Sequence, residues 1–438
     1  MKRAILLLMH QGKSYTEEVA AATAGLGLTL VALSSRPETP EVLEASRRHV
    51  ADCLVTEEPE LCSADLDKAV RELAERGYQV EASLASFEGY RLLMAELNER
   101  LGAHDSAEAA LRLCLDKYEL RRHLCAEGLS EVRLHRLSAG VTPELDPTTD
   151  WFVKPVRGAS SFATFRLKGV DDLADLPAIQ EQMRADRRMK AIFMDRYDFL
   201  VEEFVDGPEF SFETVVLDGR IHHLCVHEKA RVEHLERTVL EGMSVSPPVS
   251  LSRELVLEGA DHVADCLASL AGHGLTAGVF HIEVKYWESK GRWEIIEINP
   301  RMGGSLINAS VQTVTGHSLL DLWTESLLLP DGERDAFHAR LTQASQVEAL
   351  RTGALTRATV FLSKYGEKGR TVDEIRFEPP TRPPRILNVH VAEGTALDAS
   401  DRGICLMDAL WDAAADDLVA ETAFLDRHAT EHFHVRYR

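Results

Sequence analysis

The segment E-I-N-P-R-M-G-G at residues 297–304 combines several side chains that can do chemistry at close spacing. Glu297 and Asn299 are two residues apart, so on a strand they project to the same face. A carboxylate and an amide oxygen suit Mg²⁺, a hard cation that also takes oxygens from phosphates. Arg301 follows directly, and the paired glycines that end the segment allow a ligand to approach the backbone closely. A solvated strand end would explain Glu297 or Asn299 alone, but we interpret the whole set as a ligand site.

Two further stretches could bind the metal and the phosphates. His281-x-Glu283 lies on the preceding strand of a predicted hairpin and can bring a second carboxylate to the face of Glu297. Lys154 ends a strand just before the small, hydroxyl-rich loop G-A-S-S at residues 158–161, where an ammonium group and N–H donors could surround phosphates. This loop is not a Walker A sequence, and a strand lysine before a turn is common on its own.

Residues 201–209, V-E-E-F-V-D-G-P-E, form a third candidate. We interpret them as a strand with exposed carboxylates, then a turn and another carboxylate. Such groups could accept hydrogen bonds from an adenine amino group and from ribose hydroxyls. The alternative for this stretch taken alone is an edge strand whose charges prevent aggregation.

The elements that must position these side chains change in type along the chain. The first part alternates helical patterns with short apolar strands, predicted at residues 4–9, 29–33, 52–55 and 80–85. This alternation predicts a parallel sheet with right-handed crossovers, as in a Rossmann-like nucleotide domain. No G-x-G-x-x-G follows the first strand, which argues against NAD or FAD.

Residues 88–127 have a helical pattern, and the loop Thr142–Asp150 marks a predicted boundary. Beyond it the pattern predicts antiparallel hairpins, with Asp218-Gly219 as a strong signal for a two-residue turn. Together with helical stretches, these hairpins indicate an α+β domain; the predicted strands are 151–155, 163–167, 209–217, 220–226, 278–287 and 292–299, and the helices 252–273 and 306–315.

Charge and composition exclude several classes of protein. The 438 residues include 49 Lys and Arg against 71 Asp and Glu, a formal charge of −22 that disfavours broad nucleic-acid or membrane surfaces. The seven cysteines are dispersed without C-x-x-C spacing, which indicates reduced thiols. The apolar run at residues 4–9 is too short for a typical signal peptide. We therefore expect a cytoplasmic protein.

Five motifs occur in the order that they have in ATP-grasp enzymes: Lys117, Lys154 with its loop, Glu202 with Glu209, His281-x-Glu283 and E-x-N-P-R-x-G-G. The chain resembles the ATP-grasp superfamily and, within it, the carboxylate–amine ligases similar to the L-amino acid ligases that make dipeptides. The resemblance covers about residues 1–330, and E-x-N-P-R-x-G-G with its upstream H-x-E is the most specific part.

The resemblance implies an α/β plus α+β architecture, namely an ATP-grasp fold with an N-terminal Rossmann-like (pre-ATP-grasp) domain and a small C-terminal lobe. Residues 1–115 would be the N-terminal domain and residues 116–330 the ATP-grasp domain, with a central lobe to about 205 and an ATP and Mg²⁺ lobe from about 206. Residues 331–438 would form the C-terminal lobe that completes it.

The resemblance also implies roles for single residues. ATP would be bound by Lys117, Lys154, Ser160, Ser161, Glu202, Glu203, Val205 and Glu209. The lysines would contact phosphates, the serines would cover them, the residues at 202–205 would meet adenine, and Glu209 the ribose. Mg²⁺, for which Mn²⁺ can substitute, would be held by Glu283, Glu297 and Asn299. Arg301 would be catalytic, contacting the transferring phosphate and the acyl group. Substrate contacts would come from His281, Gly303 and Gly304. Independently of the resemblance, Glu241 and Glu88 could recognise a substrate ammonium group, although either is more often an ordinary surface carboxylate.

The implied activity is ATP-dependent ligation of a carboxylate, that of an amino acid or small peptide, to an amine. An acyl phosphate would be the intermediate, and the products an amide, ADP and phosphate. The alternatives are an ATP-grasp carboxylase, a purine-pathway-type ligase, or a nucleotide-binding module without turnover. We expect small-molecule partners and no nucleic acid or membrane, and a homodimer is left open.

Many relatives have glycine where this chain has Ala163, after Phe162, so we expect either a stiffer loop or Phe162 in the substrate pocket.

The C-terminal H-x-x-E-H at residues 428–432 matches a zinc peptidase pattern. Catalytic zinc usually needs a third protein ligand on supporting structure, and we expect a terminal strand around Phe433 instead.

Overall fold

In the computed structural model of the chain, which describes residues 1–137, 143–379, 382–398 and 403–438, the N-terminal strands form a parallel sheet. The strands are β1 (Lys2–Met9), β2 (Thr29–Ser34), β3 (Cys53–Val55) and β4 (Tyr78–Leu84), and the intervening helices are α1 (Thr16–Gly25), α2 (Pro40–Arg47) and α3 (Ser63–Glu75). The order is β3-β2-β1-β4. Strand β1 is an interior strand, and its residues 4–9 are completely buried because both faces of a parallel sheet are covered.

Three short-linked helices follow: α4 (Arg91–Leu101), α5 (Glu108–Leu115) and α6 (Lys117–Ala126). The side chain of Asp116 caps α6 by accepting a hydrogen bond from the Glu119 N–H at 3.0 Å. Lys117 is therefore held at the first position of a helix, which fixes where its side chain starts.

A small antiparallel sheet comes next, in the order β5-β8-β6-β7. It consists of β5 (Leu134–Leu137), β6 (Trp151–Pro155), β7 (Phe165–Leu167) and β8 (Phe199–Glu203), with α7 (Leu176–Ala185) and α8 (Lys190–Phe193) before the last strand. The predicted loop Thr142–Asp150 begins at a residue outside the described ranges. Strand β8 is an interior strand, so the alternative of a charged edge strand at residues 201–209 is wrong.

A large antiparallel sheet carries the predicted hairpins. Strands β9 (Glu209–Leu217) and β10 (Arg220–His234) are joined through Asp218 and Gly219, whose φ angles of +53° and +72° are those of a type I′ turn. The sheet continues with β11 (Val239–Ser246), β12 (Gly278–Trp287) and β13 (Arg292–Asn299), and helix α9 (Arg253–Ser269) packs nearby. The predicted bounds of β12 and β13 are confirmed.

The chain after residue 299 covers this sheet and extends it. The helices are α10 (Ile307–Thr315), α11 (Leu319–Ser326), α12 (Arg334–Ala344), α13 (Gln346–Thr352) and α14 (Leu418–His432), and the strands β14 (Arg357–Tyr365), β15 (Val372–Phe377), β16 (Ile386–Val389), β17 (Cys405–Ala414) and β18 (Phe433–Tyr437). The sheet order is β13-β12-β9-β10-β11-β14-β17-β16. Strands from both sides of residue 330 thus share one sheet, while the domain boundaries stay predictions.

The C-terminal H-x-x-E-H pattern lies on α14, where His428 Nδ1 contacts Glu431 at 2.8 Å. The expected terminal strand begins only at Phe433, one residue later than the alternation of His432 suggests. No helix within the described ranges is both long enough and apolar enough to cross a lipid bilayer.

Candidate active site

A cleft lies between the small sheet and the large one. Every residue predicted to bind ATP lines it: Lys117, Lys154, Ser160, Ser161, Glu202, Glu203, Val205 and Glu209. Glu241, Glu283, Glu297 and Arg301 line the same cleft. The structure thus brings together segments that lie up to about 180 residues apart in sequence.

Glu283 and Glu297 are direct cross-strand partners on β12 and β13, as the hairpin register predicts. Lys117 reaches this pair from the start of α6: its Nζ lies 2.8 Å from Glu297 Oε2 and donates to the Gly158 carbonyl at 2.9 Å. Burial opposes the charge of Lys117, but Glu297 together with Glu88 and Glu283 outweighs it, and the pKa of Lys117 rises. An ammonium group therefore sits between the metal-type carboxylates and the small-residue loop.

Lys229 on β10 is a second cation that the motifs do not predict. Its Nζ donates to Glu209 at 2.6 Å, to Glu241 at 2.7 Å and to Glu283 at 2.7 Å. Burial works against its charge, but the three carboxylates raise the pKa of Lys229 well above its ordinary value. The predicted strand stops at Val226, whereas β10 runs to His234 and places Lys229 inside the sheet. The polar run His227-Glu228-Lys229, directly after the predicted apolar strand, is the one sequence signal that points to Lys229.

Behind Glu283 lies a buried histidine–carboxylate pair. His281 Nδ1 is 2.7 Å from Glu213 Oε1, and its Nε2 is 3.3 Å from Glu283 Oε1. Burial disfavours the imidazolium, yet Glu213 and Glu283 together raise the pKa of His281 to about 10. Glu213 is fully buried and also accepts a hydrogen bond from Ser211 Oγ at 2.8 Å. Glu283 is thus flanked by two cationic groups, and it stays ionised.

On the predicted adenine side, Glu202 is not an exposed carboxylate. It is 3% exposed, its Oε1 lies 2.6 Å from Lys154 Nζ, and its Oε2 lies 3.3 Å from Arg121 Nε. Burial raises its pKa, but the two cations outweigh this and lower it. Strand β8 is interior and packs these residues inward, which the simple alternation at 201–209 does not reveal. Lys154 also donates to the Ile296 carbonyl at 3.1 Å, tying the two sheets together.

The loop after Lys154 has an unusual backbone. Ser160, Ser161 and Ala163 have φ angles of +56°, +50° and +52°, a left-handed region that favours glycine. Phe162 is 3% exposed and packs near Phe193, with ring centroids 6.0 Å apart, while it also lines the cleft. Both expectations for this departure, a constrained loop and a phenylalanine beside the ligand space, are compatible with this geometry.

Arg301 projects from the end of β13 toward the N-terminal domain. Its Nε donates to Glu88 Oε2 at 3.0 Å, its Nη2 lies 2.9 Å from the same oxygen, and its Nη1 donates to the Met302 carbonyl at 2.9 Å. Glu88 is 8% exposed, so it is not an ordinary surface carboxylate. Two of the residues predicted to bind substrate therefore form ion pairs within the protein: Glu88 with Arg301, and Glu241 with Lys229.

The two glycines of the E-x-N-P-R-x-G-G motif differ in their surroundings. A Cβ on Gly303 would lie 2.7 Å from Ile307 and 2.8 Å from His281 Nδ1, so packing inside the protein requires glycine there. A Cβ on Gly304 would meet nothing within 4 Å, which leaves space for a ligand. Neither glycine lines the cleft itself, and neither do His281, Asn299 and Glu88.

The carboxylates fit a magnesium ion. Glu283 and Glu297 face each other across the hairpin, whereas the three carboxylates of Glu209, Glu241 and Glu283, which lie within 4.8 Å of one another, surround the Nζ of Lys229. Oxygen donors of this kind suit Mg²⁺. Asn299 donates from Nδ2 to Glu297 Oε1 at 2.9 Å, so its amide must turn before its oxygen can join them. With Mg²⁺ bound, Lys229 and Lys117, which contact Glu283 and Glu297 in this structure, could bind the phosphates instead.

Residues 148–309 match the family model of the ATP-grasp domain. The chain is 26% identical over 274 residues to carnosine synthase 1 of Gallus gallus, covering 58% of this chain. It spans 28% of the length of that curated relative.

Solved structures with ATP-grasp architecture resemble the whole chain. An L-amino acid ligase from Bacillus licheniformis matches with a TM-score of 0.74 and 18% identity, covering 100% of this chain and 99% of the ligase. Phosphoribosylglycinamide synthetase from Anaerococcus prevotii matches with a TM-score of 0.67 and 12% identity, covering 100% of both chains. The predicted ATP-grasp fold is confirmed.

Proposed function

Because this chain carries an ATP-grasp domain over residues 148–309, we propose that it is an ATP-dependent ligase that joins an amino-acid carboxylate to an amine. The products would be an amide, ADP and phosphate. One observation carries the proposal: the opposed carboxylates Glu283 and Glu297 line the same cleft as Lys117 and Arg301. The residues predicted to contact adenine line this cleft too.

In the first step, a carboxylate oxygen of the substrate attacks the γ-phosphorus of ATP, and the bond to the ADP oxygen breaks. This reaction depends on positioning and on neutralising charge on the phosphoryl oxygens. Bound Mg²⁺, held by Glu283 and Glu297, would supply much of that neutralisation. Lys117 and Lys154 would orient the phosphates, and the loop of Ser160 and Ser161 would keep water away from them.

In the second step, the nitrogen of an uncharged amine attacks the acyl carbon, phosphate leaves, and the amine loses a proton. The tetrahedral species carries a negative oxygen that needs fixed donors. We assign this donor role to Arg301, because its guanidinium is held in place by Glu88 and by the Met302 carbonyl. The open space at Gly304 gives the acyl group room next to these donors.

The substrate class rests on the two named relatives and on two carboxylates, Glu88 beside Arg301 and Glu241 in the cleft. Carnosine synthase is named for a dipeptide product and the L-amino acid ligase for its amino-acid substrates, which favours an amino acid here. Glu88 and Glu241 could each accept a hydrogen bond from a substrate ammonium group if their present cationic partners shift. A carboxylase or a purine-pathway-type ligase would use the same acyl-phosphate chemistry and remains the second candidate, as does a binder without turnover.

The test is a screen of the full chain with ATP, Mg²⁺ and amino acids, singly and in pairs, with phosphate release and product masses measured. We expect ADP and phosphate in equal amounts with an amide product that requires both amino acids. Stoichiometric AMP and pyrophosphate would overturn the acyl-phosphate step. Phosphate release that needs bicarbonate would favour the carboxylase, and nucleotide binding without release would favour the binder.

A further inference from the structure

Strands β16 and β17 bring together three different metal-binding side chains, none of which lines the ATP cleft. A ring nitrogen of His390, the sulfur of Cys405 and a carboxylate oxygen of Asp408 all lie within 4.8 Å of one another. Within the described ranges, this is one of two groups of three or more such side chains, the other being the carboxylates around Lys229.

A β-bulge makes this arrangement possible. Lys364 pairs with Met407 but Tyr365 pairs with Cys405, so β17 has one extra residue at Leu406. Side chains three apart on a regular strand point to opposite faces, and the extra residue turns Cys405 toward the face of Asp408. On β16, Asn388 pairs directly with Asp408, and His390 follows two residues later on the same face.

The carboxylate of Asp408 is the buried centre of the group. It is 1% exposed; its Oδ2 lies 3.1 Å from His390 Nε2, and Asn388 Nδ2 donates to its Oδ1 at 2.9 Å. Ser305 Oγ donates to Oδ2 at 2.9 Å. The thiol of Cys405 donates to the Met407 carbonyl at 3.4 Å, and the bulge places its sulfur on the side of the His390–Asp408 ion pair.

We propose that His390, Cys405 and Asp408 bind a divalent transition-metal cation of the Zn²⁺ class. Thiolate, imidazole and carboxylate are the ligands that Zn²⁺ takes, and sulfur sets this site apart from the oxygen-only carboxylates of the cleft. With Zn–ligand bonds of about 2.0–2.3 Å, tetrahedral ligands lie roughly 3.3–3.8 Å apart, so closure requires shifts of about 1 Å. Binding releases the thiol proton of Cys405 to solvent.

The surroundings supply what such a site needs. Asn388 fixes the second oxygen of Asp408, which is how outer groups orient a metal-binding carboxylate. Three protein ligands leave a fourth position for water or another small ligand. Ser305 directly follows the glycines after Arg301, so a bound cation would connect β16 and β17 to that loop. The proposal does not depend on the ligase activity.

The test uses the full chain, stripped of metal with a chelator and titrated with Co²⁺ followed by absorption spectroscopy. We expect one equivalent of Co²⁺ to give a thiolate-to-cobalt charge-transfer band that Zn²⁺ then displaces. Co²⁺ bound to Glu283 or Glu297 cannot give this band, because those residues offer only oxygen. Cys405→Ser should abolish it, and Cys53→Ser, at another partly buried cysteine, should leave it unchanged.

Two further variants keep the result interpretable if Cys405→Ser is unstable. His390→Gln changes a side chain that is 41% exposed, so it should fold normally and weaken Co²⁺ binding at least tenfold. Asn388→Ala should weaken it by about 10- to 100-fold through the second oxygen of Asp408. No charge-transfer band in the unaltered chain, or a band that survives Cys405→Ser, would overturn the proposal.

Discussion

Glu283 and Glu297 occupy opposite positions on two neighbouring strands, yet each contacts a different lysine. Lys229 Nζ donates to Glu283 at 2.7 Å, and Lys117 Nζ lies 2.8 Å from Glu297. Like charges directly opposite each other on a sheet repel, so the pair needs cations on both sides. The lysines provide these cations here. During turnover Mg²⁺ would neutralise the two carboxylates, and the lysines would neutralise the ATP phosphates.

The first prediction concerns Glu297→Gln. The amide keeps the shape of the side chain and an oxygen for Lys117, but it removes the charge that Mg²⁺ needs. We expect turnover to fall by about a hundredfold or more, as when a group that stabilises transition-state charge is lost. Steady-state kinetics over a range of Mg²⁺ concentrations measures this, and circular dichroism checks the fold.

The matched control is Glu288→Gln, an exposed carboxylate in the turn of the same hairpin. It should leave kcat and the dependence on Mg²⁺ unchanged. Near-normal activity of Glu297→Gln at ordinary Mg²⁺ concentrations would contradict the metal assignment.

The second prediction concerns the loop after Lys154. Ala163 has a φ of +52°, so Ala163→Gly removes backbone strain of about 1 kcal/mol, which offsets the loss of a buried methyl group. We expect its free energy of unfolding to stay within about 0.5 kcal/mol of that of the unaltered chain. Ala159→Gly is the control, since Ala159 is not left-handed and should lose about 0.5–1 kcal/mol. Equal losses in urea titrations of both variants would show that Ala163 is unstrained.

Much of the fold could be predicted because its signals are local. The β9–β10 turn depends on Asp218 and Gly219, which adopt the two positive φ angles of a type I′ turn. The β12–β13 hairpin depends on a periodicity of two, which places Glu283 opposite Glu297. Both patterns need no information from distant parts of the chain.

The partners of the site residues could not be predicted, because they come from remote elements. Glu88 meets Arg301 across 213 residues of sequence, and nothing near Glu88 indicates this contact. Lys229 is buried on β10 and is surrounded by carboxylates, although charged side chains usually lie at the surface. The same preference predicts Glu202 at the surface, whereas it is 3% exposed. A single sequence shows which groups are charged, but not which charges neutralise each other.

The third prediction is a pH dependence of stability at His223. Its Nε2 donates to the Ala260 carbonyl at 3.0 Å and its Nδ1 accepts from Thr214 Oγ1 at 2.8 Å, so the buried ring is neutral. Burial lowers the pKa of His223 from 6.5 to about 4. Only the unfolded chain takes up the proton between these values, so this contribution to stability falls as the pH drops from about 6.5 to 4.

From pH 7 to pH 5 the loss attributable to His223 should be about 2 kcal/mol. His223→Gln can keep both hydrogen bonds but cannot titrate, so it should lose less stability over this interval. Urea unfolding of both proteins at the two pH values gives the comparison, in which other buried histidines such as His10 cancel. An identical loss in the two proteins would mean that His223 is protonated in the folded state.

The last prediction concerns Arg301 and separates a catalytic role from a structural one. Its guanidinium is held by Glu88 and by the Met302 carbonyl, so it can act as a fixed donor to developing charge. Arg301→Ala should lower kcat by about a hundred- to a thousand-fold with little change in ATP affinity. Arg301→Lys should rescue poorly, because a single ammonium group cannot reproduce the planar, two-pronged geometry.

If Arg301 only anchors its loop to Glu88, both variants should melt at lower temperature and bind ATP more weakly, and kcat should hold within a few-fold. Arg340→Ala is the matched control, because Arg340 pairs with Glu325 away from the cleft and its loss should leave kcat unchanged. Glu88→Gln adds a further distinction: with Arg301 catalytic, losing the carboxylate should reduce kcat more than it changes ATP affinity, since the guanidinium loses its orientation but keeps its charge. Measuring kcat, ATP affinity and melting temperature for all four variants decides between the two roles.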